Sequence, residues 1–330
     1  MKNYSTEKPI PNVAVIGGGL AGLSSATRLS QSGYQVTLYE KSNTLGGRAK
    51  TANISGFHFN YGPHALYRGG SAYQTLDLLG VELNGAQPSL TKNYLSFENQ
   101  LYVLPGNLWQ LATSQFFSWQ EKYHLVRWLA NSQQIDANHL NHLSASEWVS
   151  QQFHHRRLKL WLTALIRLAT YVNDLHTLSA EIACRQLQLS LRQGVLYLDE
   201  GWQKLVTELT KNFKHHKGEI KCKTAVSSIQ PVDGLWQVES SSQKVARYNA
   251  ILLALPYQEC KKLLIPFKPD LPTGQSVHGV SWELGLSHLP KPKRLFALGL
   301  DNPYYFSVHS ASAHLAPKSQ HTVHVAKYLT

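Results

Sequence analysis

The stretch "NVAVIGGGLAGLSS", residues 12–25, decides the fold. Val13 to Ile16 is a short apolar run of the kind that makes a parallel strand buried on both faces. Gly17, Gly19 and Gly22 follow in G-x-G-x-x-G order. Leu23, Ala26 and Leu29 then recur every three residues, one face of a helix. Gly33 stands where a helix C-terminus favours a left-handed residue. "YQVTLYE" alternates through Val36 and Leu38 as a second strand. The order strand, glycine turn, helix, strand is a βαβ unit.

Each glycine has a separate physical role. Gly17 permits the tight turn, Gly19 lets a pyrophosphate approach the backbone, and Gly22 lets the helix pack on the strand. The helix start, at Leu20 and Ala21, offers N–H donors and partial positive charge to phosphate. Glu40, with Lys41 beside it, ends the second strand where an acid accepts hydrogen bonds from an adenosine ribose. NAD and FAD share this fingerprint. "KSNTLGGRAKT" follows, in which Gly46 and Gly47 allow a second close backbone approach. Arg48 carries a planar fork of donors for phosphate oxygens. Without a ligand the same residues would be a tight turn, a solvated acid and an ordinary surface loop.

Composition bounds the rest. The chain has 330 residues, 43% hydrophobic and 16% charged, enough to bury one large core or two smaller ones. Cys184, Cys222 and Cys260 form no C-x-x-C pair, which reads as free thiols in a reducing compartment. The N-terminus "MKNYSTEKPIPN" lacks an apolar signal region. The run Leu158 to Val172 is interrupted by Lys159 and Arg167 and is too short to span a bilayer. A cytoplasmic protein is expected. The net charge of +12 is compatible with contact at an anionic membrane surface. No RNA-binding signature or long basic run points to nucleic acid. His154–His155 and His215–His216 are adjacent pairs, and His139 and His142 lack Cys or acidic partners, so no metal site is expected. No G-x-S-x-G elbow is present.

Four segments are expected. Residues 1–80 form the first part of a dinucleotide-binding domain, and 81–198 a mostly helical substrate or cap region. Residues 199–265 complete the dinucleotide-binding domain, and 266–330 form a strand-rich substrate domain. "GFHFNYGPHALYRGG" reads as loop because five glycines or prolines interrupt it. Ser144 and Glu147 make a capping-box pattern at a helix start. Leu205, Val206, Leu209 and Phe213 share one helical face. "EIKCKTAV", "GLWQVES", "NAILLALP", "GVSWELGL" and "RLFALGL" are strand candidates, with a turn at "VDG", residues 232–234.

Residues 13–51 resemble the N-terminal signature of the FAD-dependent flavin amine oxidase and phytoene desaturase superfamily, which includes protoporphyrinogen oxidases. The resemblance implies a Rossmann-like, doubly wound α/β FAD-binding domain with an α+β substrate domain. It implies that Gly47 and Arg48 contact the FAD pyrophosphate. It places the Gly62, Pro63, His64, Ala65 turn near the flavin ring, with Asn60 where relatives often carry Asp. It points to Val226 on the adenine side, and to a buried strand ending in the Ala254 to Pro256 turn. "FALGLDNPYYFSVHSASAHLAPKSQHTVHVAKYL" is closest to the desaturase-like branch.

Complete members of that superfamily carry a second, C-terminal Gly-Asp cofactor motif. Nothing after Leu255 fits it, so the chain reads as truncated. The expected activity is hydride transfer from an apolar, isoprenoid-like small molecule to flavin. Amine oxidation, a non-catalytic remnant and an NAD-dependent dehydrogenase are the alternatives. The catalytic residue is not identified by pattern, with His64 and Arg68 the nearest candidates.

Overall fold

The central strand of a four-stranded parallel sheet is Asn12–Ile16. Gln35–Tyr39 lies on one side of it and Ala250–Leu253 on the other, with Glu219–Lys221 beyond Gln35–Tyr39. The computed structural model describes residues 10–89, 93–267, 269–270 and 274–329. The polar N-terminal stretch 1–9 lies outside the described residues. The chain divides into two compact units.

Among the described residues, the first unit falls within 10–51, 75–83 and 202–274. Its helix Leu20–Gln31 buries Gly22, Leu23, Ala26, Thr27 and Ser30. This face packs on Gln203–His215, which buries Leu205, Val206, Leu209 and Phe213. Thr27 Oγ1 donates to the Leu209 carbonyl at 3.3 Å across that contact. A three-stranded antiparallel sheet follows, from Val226–Val232, Leu235–Ser240 and Val245–Tyr248. Its first turn places Asp233 and Gly234 at φ 51° and 78°, the two left-handed residues of a tight hairpin. Pro231 is tolerated because its strand lies at the sheet edge.

The second unit comprises residues 52–74, 84–201 and 275–329 of the described chain. Its six-stranded sheet runs in the order Gly279–Leu286, His321–Tyr328, Tyr304–Val308, Phe296–Gly299, Asn93–Phe97, Gln100–Val103. All neighbours are antiparallel except Phe296–Gly299 with Asn93–Phe97. Helices Leu108–Thr113, Trp119–Asn131, Ala145–Gln152, Arg156–Thr170 and Ala180–Gln193 supply most of its core. Leu158, Leu162 and Ile166 repeat every four residues and are fully buried. Full burial of one such side chain contributes roughly 1.5–3 kcal/mol. Both capping-box bonds of Ser144 and Glu147 are made. A second capping box joins Ser118 and Glu121.

Two expectations are revised by this division. The expected first segment, 1–80, is split, because residues 52–74 belong to the second unit and 75–83 return to the first. "GFHFNYGPHALYRGG" is not plain loop either. Ala52–Ile54 and Phe57–Phe59 pair as a hairpin, and Leu66–Tyr67 pairs with Val195–Leu198. Ser55 and Gly56, at φ 53° and 83°, make the two-residue turn that closes the hairpin. No helix among the described residues is long and apolar enough to cross a membrane.

Candidate functional site

In the first unit the glycine loop is held by sterics. Gly17 has φ 110°, and a Cβ there would overlap the Ala254 carbonyl oxygen. A Cβ on Gly22 would overlap the Gly17 carbonyl oxygen, so only glycine lets the helix sit this close to the loop. A Cβ on Gly18, outside the three motif positions, would approach Leu45 Cδ2 to 2.5 Å. Gly19 is different, because a Cβ there would enter open space. Gly19 is also the N-cap of helix Leu20–Gln31, with no side-chain cap bond and no acid in the first turn. The first N–H groups therefore carry no side-chain cap beside an open Gly19, the arrangement at which helix starts bind phosphate.

The "LGGR" loop closes against this helix start. Gly46 N–H donates to the Gly18 carbonyl at 2.8 Å, and Gly19 and Gly46 form a parallel bridge. A Cβ on Gly47 would reach Gly19 Cα at 3.2 Å. Gly47–Ala49 forms a 3-10 turn, on which Arg48 is exposed and pairs with no carboxylate among the described residues. Glu40 acts on the loop directly. Its Oε2 accepts from Gly18 N–H at 2.7 Å and its Oε1 from Ser42 N–H at 2.8 Å. Each carboxylate oxygen keeps a second lone pair for a ribose hydroxyl. Lys41 beside it is exposed. Thr224 N–H donates to the Glu40 carbonyl at 2.9 Å and Lys223 N–H to Ser42 at 2.8 Å. Those bonds bring Val226, which begins its strand two residues later, to the same end of the sheet.

Gly62, Pro63, His64 and Ala65 belong to the second unit. Gly62, at φ 139°, turns the chain so that His64 N–H and His64 Nδ1 lie 2.8 and 3.0 Å from its carbonyl oxygen. One carboxylate anchors this turn. Glu283 accepts from Asn60 N–H at 2.7 Å and from Gly62 N–H. Burial raises the Glu283 carboxyl above its ordinary value, against the lowering by the two N–H donors. Glu283→Ala would strip both backbone donors of their acceptor. A loss of about 2–6 kcal/mol in stability is expected in chemical denaturation, as each of the two orphaned donors costs about 1–3 kcal/mol. Glu283→Gln, which keeps one acceptor oxygen, should retain part of it. Equal stability of the alanine variant and wild type would refute the anchoring role.

Beside the turn lies a cavity of about 840 Å³. Pro63, Ala65, Tyr67 and Arg68 line one wall, and Leu165, Leu168, Ala169 and Tyr171 another. Tyr171 donates to the Pro63 carbonyl at 2.5 Å, tying the helix end to the turn. Arg68 reaches the cavity wall, whereas His64 is not part of it. The described lining contains Arg68 and Arg192 and no Asp or Glu. Burial pushes the Tyr67 phenol up to about 12, and raises those of Tyr171, Tyr197 and Tyr305 as well. All four stay protonated near neutral pH.

Behind the wall formed by Tyr197, Tyr305 and Ser307 runs a buried polar column. The rings of Tyr197 and His309 stack at 3.9 Å, and those of His309 and His324 at 3.9 Å. Tyr305 Oη and His309 Nε2 are 2.9 Å apart. His324 Nδ1 lies 3.8 Å from Glu283 Oε1. Burial drives His324 down to about 3 and His309 well below the usual imidazole range, so both rings are neutral. Pattern reading did not single out any of these residues. Glu283 carried a signal, as an acid inside the strand-like "GVSWELGL"; the stacked histidines come from separate elements and carried none.

Comparison with known proteins follows the same lines. The family model described as flavin containing amine oxidoreductase matches residues 20–281. A phytoene desaturase of Cercospora nicotianae is 32% identical over 124 residues, 36% of this chain and 20% of that protein. A 4,4'-diaponeurosporene oxygenase of Staphylococcus aureus is 49% identical over 55 residues, 17% of this chain and 11% of that protein. The matched part thus spans a fifth or less of those curated relatives. An oxidoreductase of Methanosarcina mazei superposes with a TM-score of 0.79 at 16% identity, covering 97% of this chain and 79% of that one. A putrescine oxidase bound to putrescine superposes with a TM-score of 0.74 at 15% identity, covering 96% and 75%. At those identities the likeness concerns the fold.

Proposed function

The chain belongs to the flavin-containing amine oxidoreductase family, and from that premise we propose that it serves the FAD-dependent dehydrogenation of an apolar, isoprenoid-like substrate. FAD suits the residues present: the open face at Gly19, the uncapped helix start and the exposed Arg48 make a cradle for a pyrophosphate. When bound, FAD supplies the acceptor for the hydride that leaves a substrate carbon. Gly17, Gly18 and Gly22 hold the loop in shape, Glu40 ties it to the strand end and would accept from the ribose, and Gly47 would close the far side. The NAD-dependent alternative is set aside by the flavin-containing family.

The observation that carries the substrate class is the cavity wall. It is mainly apolar, from Leu, Ala, Tyr, Pro, Val and Phe side chains with neutral Gln, Asn and Ser groups among them, and its charges are Arg68 and Arg192. An ammonium group would meet two guanidinium groups and no carboxylate there. Walls of this kind bind a hydrocarbon by burial of apolar surface. Behind this wall the Tyr305 hydroxyl lies 2.9 Å from His309 Nε2, and both groups are neutral, so the buried column adds no charge to the cavity. The two relatives named for carotenoid-type substrates agree with an apolar ligand.

The test is a reductive titration of the flavin-loaded chain with polyene and amine panels, read as flavin bleaching. Polyenes should bleach the flavin and amines should not. Ala169→Trp, which fills the cavity from its helix wall, should lower polyene kcat/KM by about tenfold or more, the scale of a misfit of 1–3 kcal/mol. Flavin content should be unchanged. Bleaching by amines alone would overturn the assignment.

A further inference from the structure

The cavity beside the Gly62 turn changes character from its depth to its rim. Leu187, Tyr197, Tyr305 and Val308 line it, and none of them is more than 6% exposed. Arg68 and Arg192 line it as well, and both are exposed. The charges of the lining thus stand at the mouth, above an apolar depth. Backbone bonds bring the two arginines together. Helix Ala180–Gln193 carries Arg192 in its last turn, and Gly194, at φ 68°, turns the chain into strand Val195–Leu198. That strand pairs with Leu66–Tyr67, and the next residue, Arg68, donates its N–H to the Gly194 carbonyl at 3.2 Å. Gln87 Nε2 donates to the Gln193 carbonyl at 3.0 Å and ties a third segment to the same place. A cation in the last turn of a helix complements its dipole, which accounts for Arg192 alone. Arg68 sits on no helix. Two guanidinium groups on adjoining segments repel one another, and the described lining holds no Asp or Glu to offset them.

We infer that Arg68 and Arg192 form an anion subsite at the cavity mouth, and that the substrate is an apolar chain ending in a carboxylate. The inference rests on the reading of this cavity as the site of an apolar substrate, and it adds the group at the end of that substrate. A guanidinium fork matches a carboxylate through two parallel N–H···O bonds. The mouth also sits at the C-terminal, partially negative end of helix Ala180–Gln193, which favours a singly charged group over a phosphate. With the chain in the apolar depth and the acid at the exposed rim, burial is gained without the cost of taking a charge out of water. The acid end also fixes a register. A hydrocarbon of equal length gains burial alone and can slide, whereas an anchored acid sets which of its carbons lie deepest.

The test compares cis-parinaric acid, a polyene carboxylate, with its methyl ester by fluorescence titration of the full chain loaded with FAD. The acid should bind about tenfold more tightly than the ester, which corresponds to about 1.4 kcal/mol. Salt should narrow the difference, because the arginines are exposed. Arg68→Gln combined with Arg192→Gln should bring acid and ester to within about twofold of each other. Arg68→Lys combined with Arg192→Lys should keep part of the preference, since the charge remains and the fork is lost. Thermal midpoints check that the variants are folded, and the ratio in the unaltered chain depends on no variant. In competition, farnesoic acid should displace the probe better than farnesyl phosphate. Equal binding of acid and ester by the unaltered chain overturns the inference and leaves the apolar reading standing. Stronger displacement by farnesyl phosphate, or a wild-type ratio in the double Gln variant, overturns it as well. If neither acid nor ester binds, both the inference and the apolar reading fall.

Discussion

Gly17→Ala should destabilise the first unit by about 2–6 kcal/mol and leave the chain without flavin. Two effects add. A non-glycine residue at φ 110° is strained by about 1–3 kcal/mol. The new methyl also overlaps a backbone oxygen, that of Ala254, and overpacking of that kind costs about 1–3 kcal/mol. Gly22→Ala meets the Gly17 carbonyl and should behave alike. Gly19→Ala should not. Its φ of −73° suits any residue and its Cβ enters open space, so the thermal midpoint should hold while FAD affinity falls, because the methyl occupies the cradle. Thermal unfolding of the apo chain and flavin absorbance after reconstitution separate the two outcomes. A Gly17→Ala chain with wild-type midpoint, or a Gly19→Ala chain with wild-type FAD affinity, would contradict the steric account of the loop.

Acid should begin to weaken the second unit below pH 6.5, above the ordinary carboxylate range. His324 has its folded value at about 3 against an unfolded 6.5, through burial, and His309 is shifted in the same direction. A depressed folded value means the unfolded chain binds more protons. The stability linked to these neutral rings is therefore fully present above pH 6.5 and is lost as pH falls towards 3. For His324 alone the loss approaches about 5 kcal/mol at the low end of that window. Glu283 acts in the opposite sense, since its value is raised: its contribution is complete below 4.5 and declines as pH rises through the folded value. Asp136 and Glu147, both lowered, lose their contributions only below about 3.8 and 4.5. Between pH 6.5 and 4.5 the slope of unfolding free energy against pH therefore reports the histidines, opposed by Glu283. His324→Phe should flatten it. An unchanged slope in that variant would exclude His324 as the source.

How much of this was legible depended on how local the cause was. Gly22 is read from sequence because what excludes its Cβ, the Gly17 carbonyl, is five residues away and fixed by the motif. Gly18 is crowded too, though by the side chains of Leu45 and Glu40 and not by backbone, and no spacing rule names it. Ser118 and Glu121 form the same box as Ser144 and Glu147 and were open to the same reading. The hairpin at Ala52–Phe59 escaped because a three-residue alternation is too short to outweigh its glycines. Glu283 escaped for a deeper reason. Alternation along "GVSWELGL" would turn Val280, Trp282 and Leu284 inward, whereas the strand leaves all three exposed and turns Glu283 towards the Gly62 turn. A strand with its apolar face outward defeats any rule that equates hydrophobic with inside. The His309 and His324 stack joins separate elements in three dimensions, beyond the reach of periodicity.

The parallel sheet has an implication for synthesis. Asn12–Ile16 gains one neighbour early, because Gln35–Tyr39 emerges about two dozen residues behind it. Its other edge waits for Ala250–Leu253, made more than two hundred residues later. Throughout that interval a nascent chain carries Val13, Ala14, Val15 and Ile16 beside an open row of backbone donors and acceptors, the arrangement that recruits stray strands. The carbonyl of Ala254, which forces glycine at position 17, arrives with the same late strand. The glycine loop thus takes its final form only once that strand has left the ribosome, and until then ribosome-associated chaperones have a defined hydrophobic edge to shield.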